Sequence, residues 1–568
     1  MPSPDRYRRA IRLRTRRRFL SVRFSRTLLI LSPELIGGVY CQPIPLDDKP
    51  RDPHLRDIDP FEGIESSEET LDGSTIERRA THGVGLLVGQ MFGLQILTLG
   101  VTVVLARILS VADYGIFAVA IAVQQAGLAL VELGVPAALI KRDEPPTDHE
   151  QRAVTGFVLL AASGICVAVG LVAFAVLPLL DVPARTVQLA FVACLALPFL
   201  SLRTIPTIML ERRLRYGRIT ALYSADTIVF NLAALAGALA GWGAFSLVAA
   251  VPVGAFAGLI AAAAMQKAAR GVSWDLGVIR PLIAFGSQVS ARQGVVLARD
   301  LTFVGLIAGI GGQTAAGYYA MSQRVLGVPL AFSMALSRVG FPAMARSDDD
   351  ALRIHNAARS IAIAAVAIGL PLAICAGASD PLLDVLFGSR WTPSAEIVIP
   401  SAAGLFLMAT AGSIVSSLFF SLGNARLPLL ASVADSLVLC VSAIALISWN
   451  STYGTGIAIL LAAITGVAIL LVRSAPAVRL TVFPILRGLA ISGLAAAAGL
   501  VCPVDEGIVG LIACAASAAL TWLLLTAIIS RRELLLIVGL LRKGLKRGTP
   551  EATPPEATPP GTSPPDPA

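Results

Sequence analysis

Long apolar runs, each close to the roughly 20 residues a membrane-crossing helix needs, alternate along this chain with short polar or charged breaks. They cover residues 83–106, 115–140, 153–180, 187–210, 219–240, 244–265, 281–310, 315–339, 357–378, 394–422, 427–449, 452–472, 484–501 and 507–529. The pattern predicts an all-α polytopic membrane protein of about fourteen spans. The seventh and eighth runs carry the most charge and are the least regular.

Composition agrees. The 568 residues are 55% hydrophobic and 15% charged, where a soluble globular chain is roughly a quarter charged. A multidomain soluble enzyme is therefore excluded. The net charge of +9 would suit a nucleic-acid binder, but its placement argues otherwise. Fifteen Lys and Arg residues between Lys141 and Arg479 fall in loops assigned to the cytoplasm, against Arg107, Arg185 and Arg390 outside. That bias follows the positive-inside rule and places both termini in the cytoplasm. The seven Cys show no CxxC spacing and read as small core residues, not as a metal site or a disulfide framework.

The ends differ from the middle. Residues 1–78 are basic and then acidic, with too little apolar content to build a core. Thr15-Arg16-Arg17-Arg18-Phe19-Leu20-Ser21 has the form of a twin-arginine export signal, while its charged and Pro-bearing surroundings suit a cytoplasmic tail near anionic lipid. Residues 531–548 fit a basic amphipathic helix on the inner leaflet, and 549–568 form a Pro-rich tail.

A weak repeat runs through the hydropathy. Gly115-Ile116-Phe117-Ala118 is matched by Gly317-Tyr318-Tyr319-Ala320, and Asp226 within its run is matched by Asp435. The pattern predicts two six-helix bundles, 79–274 and 275–474, as parallel repeats about an axis along the membrane normal. Two further spans at 475–530 are appended.

Arg107-Ile108-Leu109, Asp113-Tyr114-Gly115, Glu132-Leu133-Gly134, Gly317-Tyr318-Tyr319 with Arg324, Phe341-Pro342 and Leu386-Phe387-Gly388-Ser389-Arg390-Trp391 follow in this order. Together they resemble the polysaccharide transporter (oligosaccharide/O-antigen flippase) family of the multidrug/oligosaccharidyl-lipid/polysaccharide flippase superfamily, over about residues 76 to 530. The long N-terminal extension departs from that family. The resemblance implies two bundles in a V around a central cavity. It also implies movement of polyprenyl-diphosphate-linked oligosaccharide from inner to outer leaflet in a bacterial inner membrane, for O-antigen, capsule or exopolysaccharide. Membrane lipid, and glycan polymerase or chain-length regulator proteins, are the partners it suggests. Neither a cofactor nor a metal is called for.

Ionisable groups inside a bilayer face the bundle interior or water and mark function. Gln288, Arg292 and Arg299 share one helical face, and two guanidiniums on one stripe can grip a diphosphate. Arg324 is a third candidate donor and Gln90 a candidate amide for sugar hydroxyls. Arg299 has an alternative use, pairing with Asp300 or an acid on another helix. Asp226 and Asp435, expected within one or two turns of the cytoplasmic helix ends, suit an inner-gate salt bridge or ion coupling, as do Asp300 and Glu132. Arg203 reads as a snorkelling anchor; Tyr318 and Tyr319 suit stacking on sugar rings or, more commonly, an interfacial aromatic belt, which is also the reading for Trp391.

No HExxH, paired outer carboxylates or GxxxxGK[ST] loop occurs, so the chain does not read as an enzyme. The alternatives are a multidrug or cation exporter of the same superfamily, a lipid II-type flippase and, further away, a membrane glycan polymerase or ligase.

Overall fold

In hydrocarbon every backbone N–H and C=O must be satisfied within the chain, and a run of Ala, Leu, Val and Gly achieves this only as a helix. The computed structural model describes residues 93–536, with breaks at 133, 142–143, 177–184, 214, 267–268, 270, 346–349, 422–425, 473–478 and 504–506. The expected tails at 1–78 and 549–568, the amphipathic helix beyond residue 536 and Gln90 lie outside the described residues.

Among the described residues the principal elements are all helical. The first bundle comprises α1 (Gly93–Ile108), α2 (Val111–Glu132), α3 (Asp148–Leu171), α4 (Arg185–Leu202), α5 (Tyr216–Leu239) and α6 (Ala244–Met265). The second comprises α7 (Leu276–Leu306), α8 (Gly312–Ala345), α9 (Asp350–Gly377), α10 (Ala395–Leu407), α11 (Arg426–Trp449) and α12 (Tyr453–Val472). Then come α13 (Arg479–Leu500) and α14 (Gly507–Ile529). Packing repeats with a period of six helices: α5 lies on α6 as α11 lies on α12, and α2 contacts α4 as α8 contacts α10. The appended α13 packs along α9.

Twelve helical segments are long and apolar enough to cross a membrane, two fewer than expected. Gln293–Leu330 runs as one segment where two spans were anticipated. A π-turn over Ile307–Gly311 and Gly312 at φ +82° break it between α7 and α8. The first run is represented only by Gly93–Ile108, a shorter apolar helix.

Helix starts are fixed by local chemistry. Thr147 and Glu150 form a reciprocal capping box at α3. The Asp113 carboxylate accepts from Ser110 N at 3.0 Å, Ser110 Oγ at 2.7 Å and Ala244 N at 3.0 Å. One acid thus ties the start of α2 to the start of α6, satisfying N–H groups that lack partners at helix N-termini. At α7, Asp275 caps Gly277 N at 2.8 Å and binds His149 Nε2 at 2.8 Å.

The bundles meet where α2 crosses α8. A Cβ on Gly115 would lie 1.8 Å from the Gln313 carbonyl oxygen, and one on Gly317 would lie 2.0 Å from that of Val111. The two glycines of the sequence repeat are therefore each other's counterparts across the seam, and only glycine permits this approach. In the expected orientation this crossing lies at the outer end.

Candidate functional site

Among the described residues, three charged features lie inside the two bundles or at their seam. The first is in the first bundle, where Arg203 Nη1 meets Asp226 Oδ2 at 2.5 Å. Arg203 occupies the turn that interrupts α4 before the short helix Thr204–Arg212. Its guanidinium also lies over the Tyr223 ring at 5.6 Å. Glu132 stands close enough to Arg203, and to Glu211, to interact electrostatically with each. Gly258 on α6 makes room, since a Cβ there would sit 2.7 Å from Arg203 Nη1. Arg203 is thus turned inward onto an acid and is not a snorkelling anchor. Asp226 lies nearly three turns into α5, deeper than expected.

The second feature is its counterpart in the other bundle. A cavity of about 410 Å³ among α7, α8, α10, α11 and α12 is lined by Arg299, Asp300, Tyr319, Gln323, Ser401 and Asp435, together with apolar residues. Arg299 Nη2 binds Asp300 Oδ1 at 2.9 Å, and its Nη1 stands 3.7 Å from Asp435 Oδ1. Asp435 is buried, whereas the Asp300 side chain is 56% exposed. Ser436 Oγ donates to Asp435 at 3.2 Å. Gly466 on α12 gives Asp435 room, as Gly258 does for Asp226. The two aspartates expected to be equivalent therefore occupy equivalent packing environments. The Ser401 hydroxyl is buried with no hydrogen-bond partner among the described residues. Beside the cavity α10 passes through a π-turn over Met408–Gly412, a break in helical bonding that often marks functional positions. Tyr319 lines this cavity and packs edge-on against Phe303, so it is not an interfacial aromatic.

The third is the seam between bundles. Arg324 on α8 is half-buried and interacts electrostatically with Tyr114 of the first bundle. No acid pairs with it among the described residues. Gln95 of α1 reaches Gly327 one turn further along, where an added Cβ would stand 3.1 Å from its Nε2. Arg299 and Arg324 consequently have different surroundings, the former neutralised and the latter not. The side chains of Gln288 and Arg292 lie outside the described residues.

Periodicity missed two further residues. Trp391, expected at an interface, is fully buried with its indole N–H donating to Ala106 O at 3.0 Å. Glu396 accepts a short hydrogen bond from the Thr452 hydroxyl, tying the starts of α10 and α12. Among the described residues no group of three or more His, Cys, Asp or Glu could hold a metal ion.

Two repeated helical bundles, glycine-crossed at one end and carrying ionisable residues in their interiors, define a multi-pass membrane protein with a transporter fold. The chain belongs to the polysaccharide biosynthesis protein family, whose model matches residues 104–396. Among solved structures it is similar to a lipid II flippase MurJ in an inward closed conformation. That match has a TM-score of 0.64 and 15% identity, and covers 79% of this chain and 99% of the other. It is also similar to an inward-facing multidrug resistance MATE family transporter of the MOP superfamily, with a TM-score of 0.47, 14% identity, and coverage of 71% and 94%. A MOP superfamily transporter from Pyrococcus furiosus matches with a TM-score of 0.46 and 13% identity, covering 72% and 95%. No curated protein sequence matches.

Proposed function

We propose that this protein flips a polyprenyl-diphosphate-linked oligosaccharide from the inner to the outer leaflet by alternating access, for assembly or export of a surface polysaccharide. Family membership supports the polysaccharide context. The fold shared with a lipid II flippase supports a lipid-linked substrate. The observation that carries the reading is Arg324, a half-buried guanidinium at the seam with no acidic partner among the described residues. A cation held out of water without a counter-ion is costly, and a diphosphate entering between the bundles supplies that counter-ion. Guanidinium to phosphate bonds are charge-assisted and bidentate, and the low dielectric strengthens them. The polyprenyl chain stays in lipid while the bundles rock.

Arg299 takes a different part in this scheme. The second-bundle cavity sets Asp300 and Asp435 around the Arg299 guanidinium. It is suited to ion coupling, with Arg299 as internal counter-ion, whereas Arg203, Asp226 and Glu132 serve as a gate in the first bundle. The multidrug-exporter alternative is disfavoured because the unpaired charge at the seam is positive, which suits an anionic cargo.

The test is glycan export in cells lacking the gene. Wild type restores surface polysaccharide. At equal membrane abundance, Arg324→Ala lowers it by about tenfold or more and leaves lipid-linked oligosaccharide accumulated on the cytoplasmic leaflet, while Arg324→Lys retains more of the activity. Full export by Arg324→Ala would overturn the assignment.

A further inference from the structure

The outer end of the seam carries a second set of contacts that the substrate scheme does not use. Helix α1 ends at Ile108, and its last carbonyls have no partners within the helix. Leu109 N takes Leu105 O at 2.8 Å. The next ones are taken from the opposite bundle. Trp391 Nε1 donates to Ala106 O at 3.0 Å, Arg390 Nη2 to Arg107 O at 2.7 Å, and Arg390 Nη1 to Leu109 O at 3.4 Å. The exchange is mutual: Arg107 Nη2 donates to Val385 O at 2.9 Å, near the C-terminal end of the short helix Ser379–Phe387. Each bundle thus places an arginine on the carbonyl end of a helix in the other, where a cation also meets the negative pole of the helix dipole. Gly388, at φ +100°, turns the chain so that the following 3₁₀ turn presents Arg390 and Trp391 together. Trp391 is fully buried and packs edge-on against Tyr114 with ring centroids 5.1 Å apart. Among the described residues no acid pairs with Arg107 or Arg390.

We propose that Arg107, Arg390 and Trp391 form a reciprocal latch of side-chain donors on helix-end carbonyls, and that its release gates the separation of the bundles at this end. All four bonds run between bundles, so none survives separation there. A cap that merely finished its own helix would be indifferent to that motion. The bonds are individually modest, as intramolecular hydrogen bonds are, and hold the end shut without a deep well.

The test uses full-length protein in lipid nanodiscs without substrate, so its outcome is independent of the flippase reading. The native cysteines are replaced, and spin labels are placed at Trp242→Cys and Trp449→Cys. These positions are 55% and 70% exposed, just beyond α5 and at the end of α11. Pulsed electron resonance then reads the distance distribution between bundles. Arg390→Ala removes an exposed side chain, and Trp391→Phe keeps the ring while deleting its donor. Each variant is expected to raise the long-distance population about threefold to tenfold, and the double variant further. Distance distributions unchanged in both single variants and in the double variant would overturn the latch.

Discussion

Replacing Gly115 by Ala tests the seam at its tightest point. The new Cβ would stand 1.8 Å from the Gln313 carbonyl oxygen and 2.7 Å from its carbon. Real Cβ contacts essentially never fall below 3.0 Å, and the obstructing atoms are backbone, so no rotamer relieves the clash. The two helices must part by at least about 1 Å. Overpacking of this kind costs about 1–3 kcal/mol, and the upper end applies because the partner is a helix backbone. Alanine's higher helix propensity acts alike on the closed and open states, in both of which α2 is helical, and cancels. The cost, about 3 kcal/mol, lowers the closed outer state by on the order of 100-fold. The distance measurement between positions 242 and 449 reads that shift directly, and export in cells should fall with it. Gly100→Ala is the matched control, since nothing lies within 4 Å of its added Cβ, and it should leave both readouts at wild-type values. Wild-type distances and export in Gly115→Ala would refute the claim that this crossing closes the seam.

Two other predictions concern the charges. Arg203→Ala strands Asp226 in the first bundle and should lower the melting temperature by an amount corresponding to about 3 kcal/mol, whereas Arg203→Ala with Asp226→Ala should recover most of it. A double variant no more stable than the single would mean that Arg203 acts through something other than its acid. Asp275 lies outside the spans, and its hydrogen bond with His149, with that from Gly277 N, holds its carboxyl below the usual carboxylate range. Because the folded value is depressed, its stabilisation is present above the ordinary carboxylate pKa of about 3.9 and is lost only as pH falls through the lower folded value. The melting difference between wild type and Asp275→Asn should therefore shrink as pH falls from about 5 toward about 3; a difference that grew over that interval would contradict the assignment.

Much of the architecture is legible in the amino-acid order because bilayer thickness imposes a length on every apolar run. The equivalence of Asp226 and Asp435 is legible too, as is the pairing of Arg299 with Asp300 that stood among the alternatives. Contacts between helices distant in sequence are not, since periodicity says which face a residue occupies and not what that face meets. Arg203 looks like a snorkelling anchor until α5 brings Asp226 to it. Trp391 and Tyr319 look interfacial because aromatic residues at run ends usually are; one proves to be a buried donor at the seam and the other a cavity wall. The merged segment through Gly312 has a local cause as well, a π-turn that hydropathy does not register.

Reconstituted flipping asks whether Arg324 carries the diphosphate between leaflets. Purified protein is placed in liposomes containing a polyprenyl-diphosphate-linked oligosaccharide, and the fraction of glycan accessible to an impermeant glycosidase is followed over time. The account predicts that wild type makes the inner-leaflet pool accessible and that Arg324→Ala slows this by about tenfold or more, the worth of a lost hydrogen bond to a charged group. Liposomes whose inner-leaflet glycan stays protected with wild type present, or is exposed equally fast with Arg324→Ala, would contradict it.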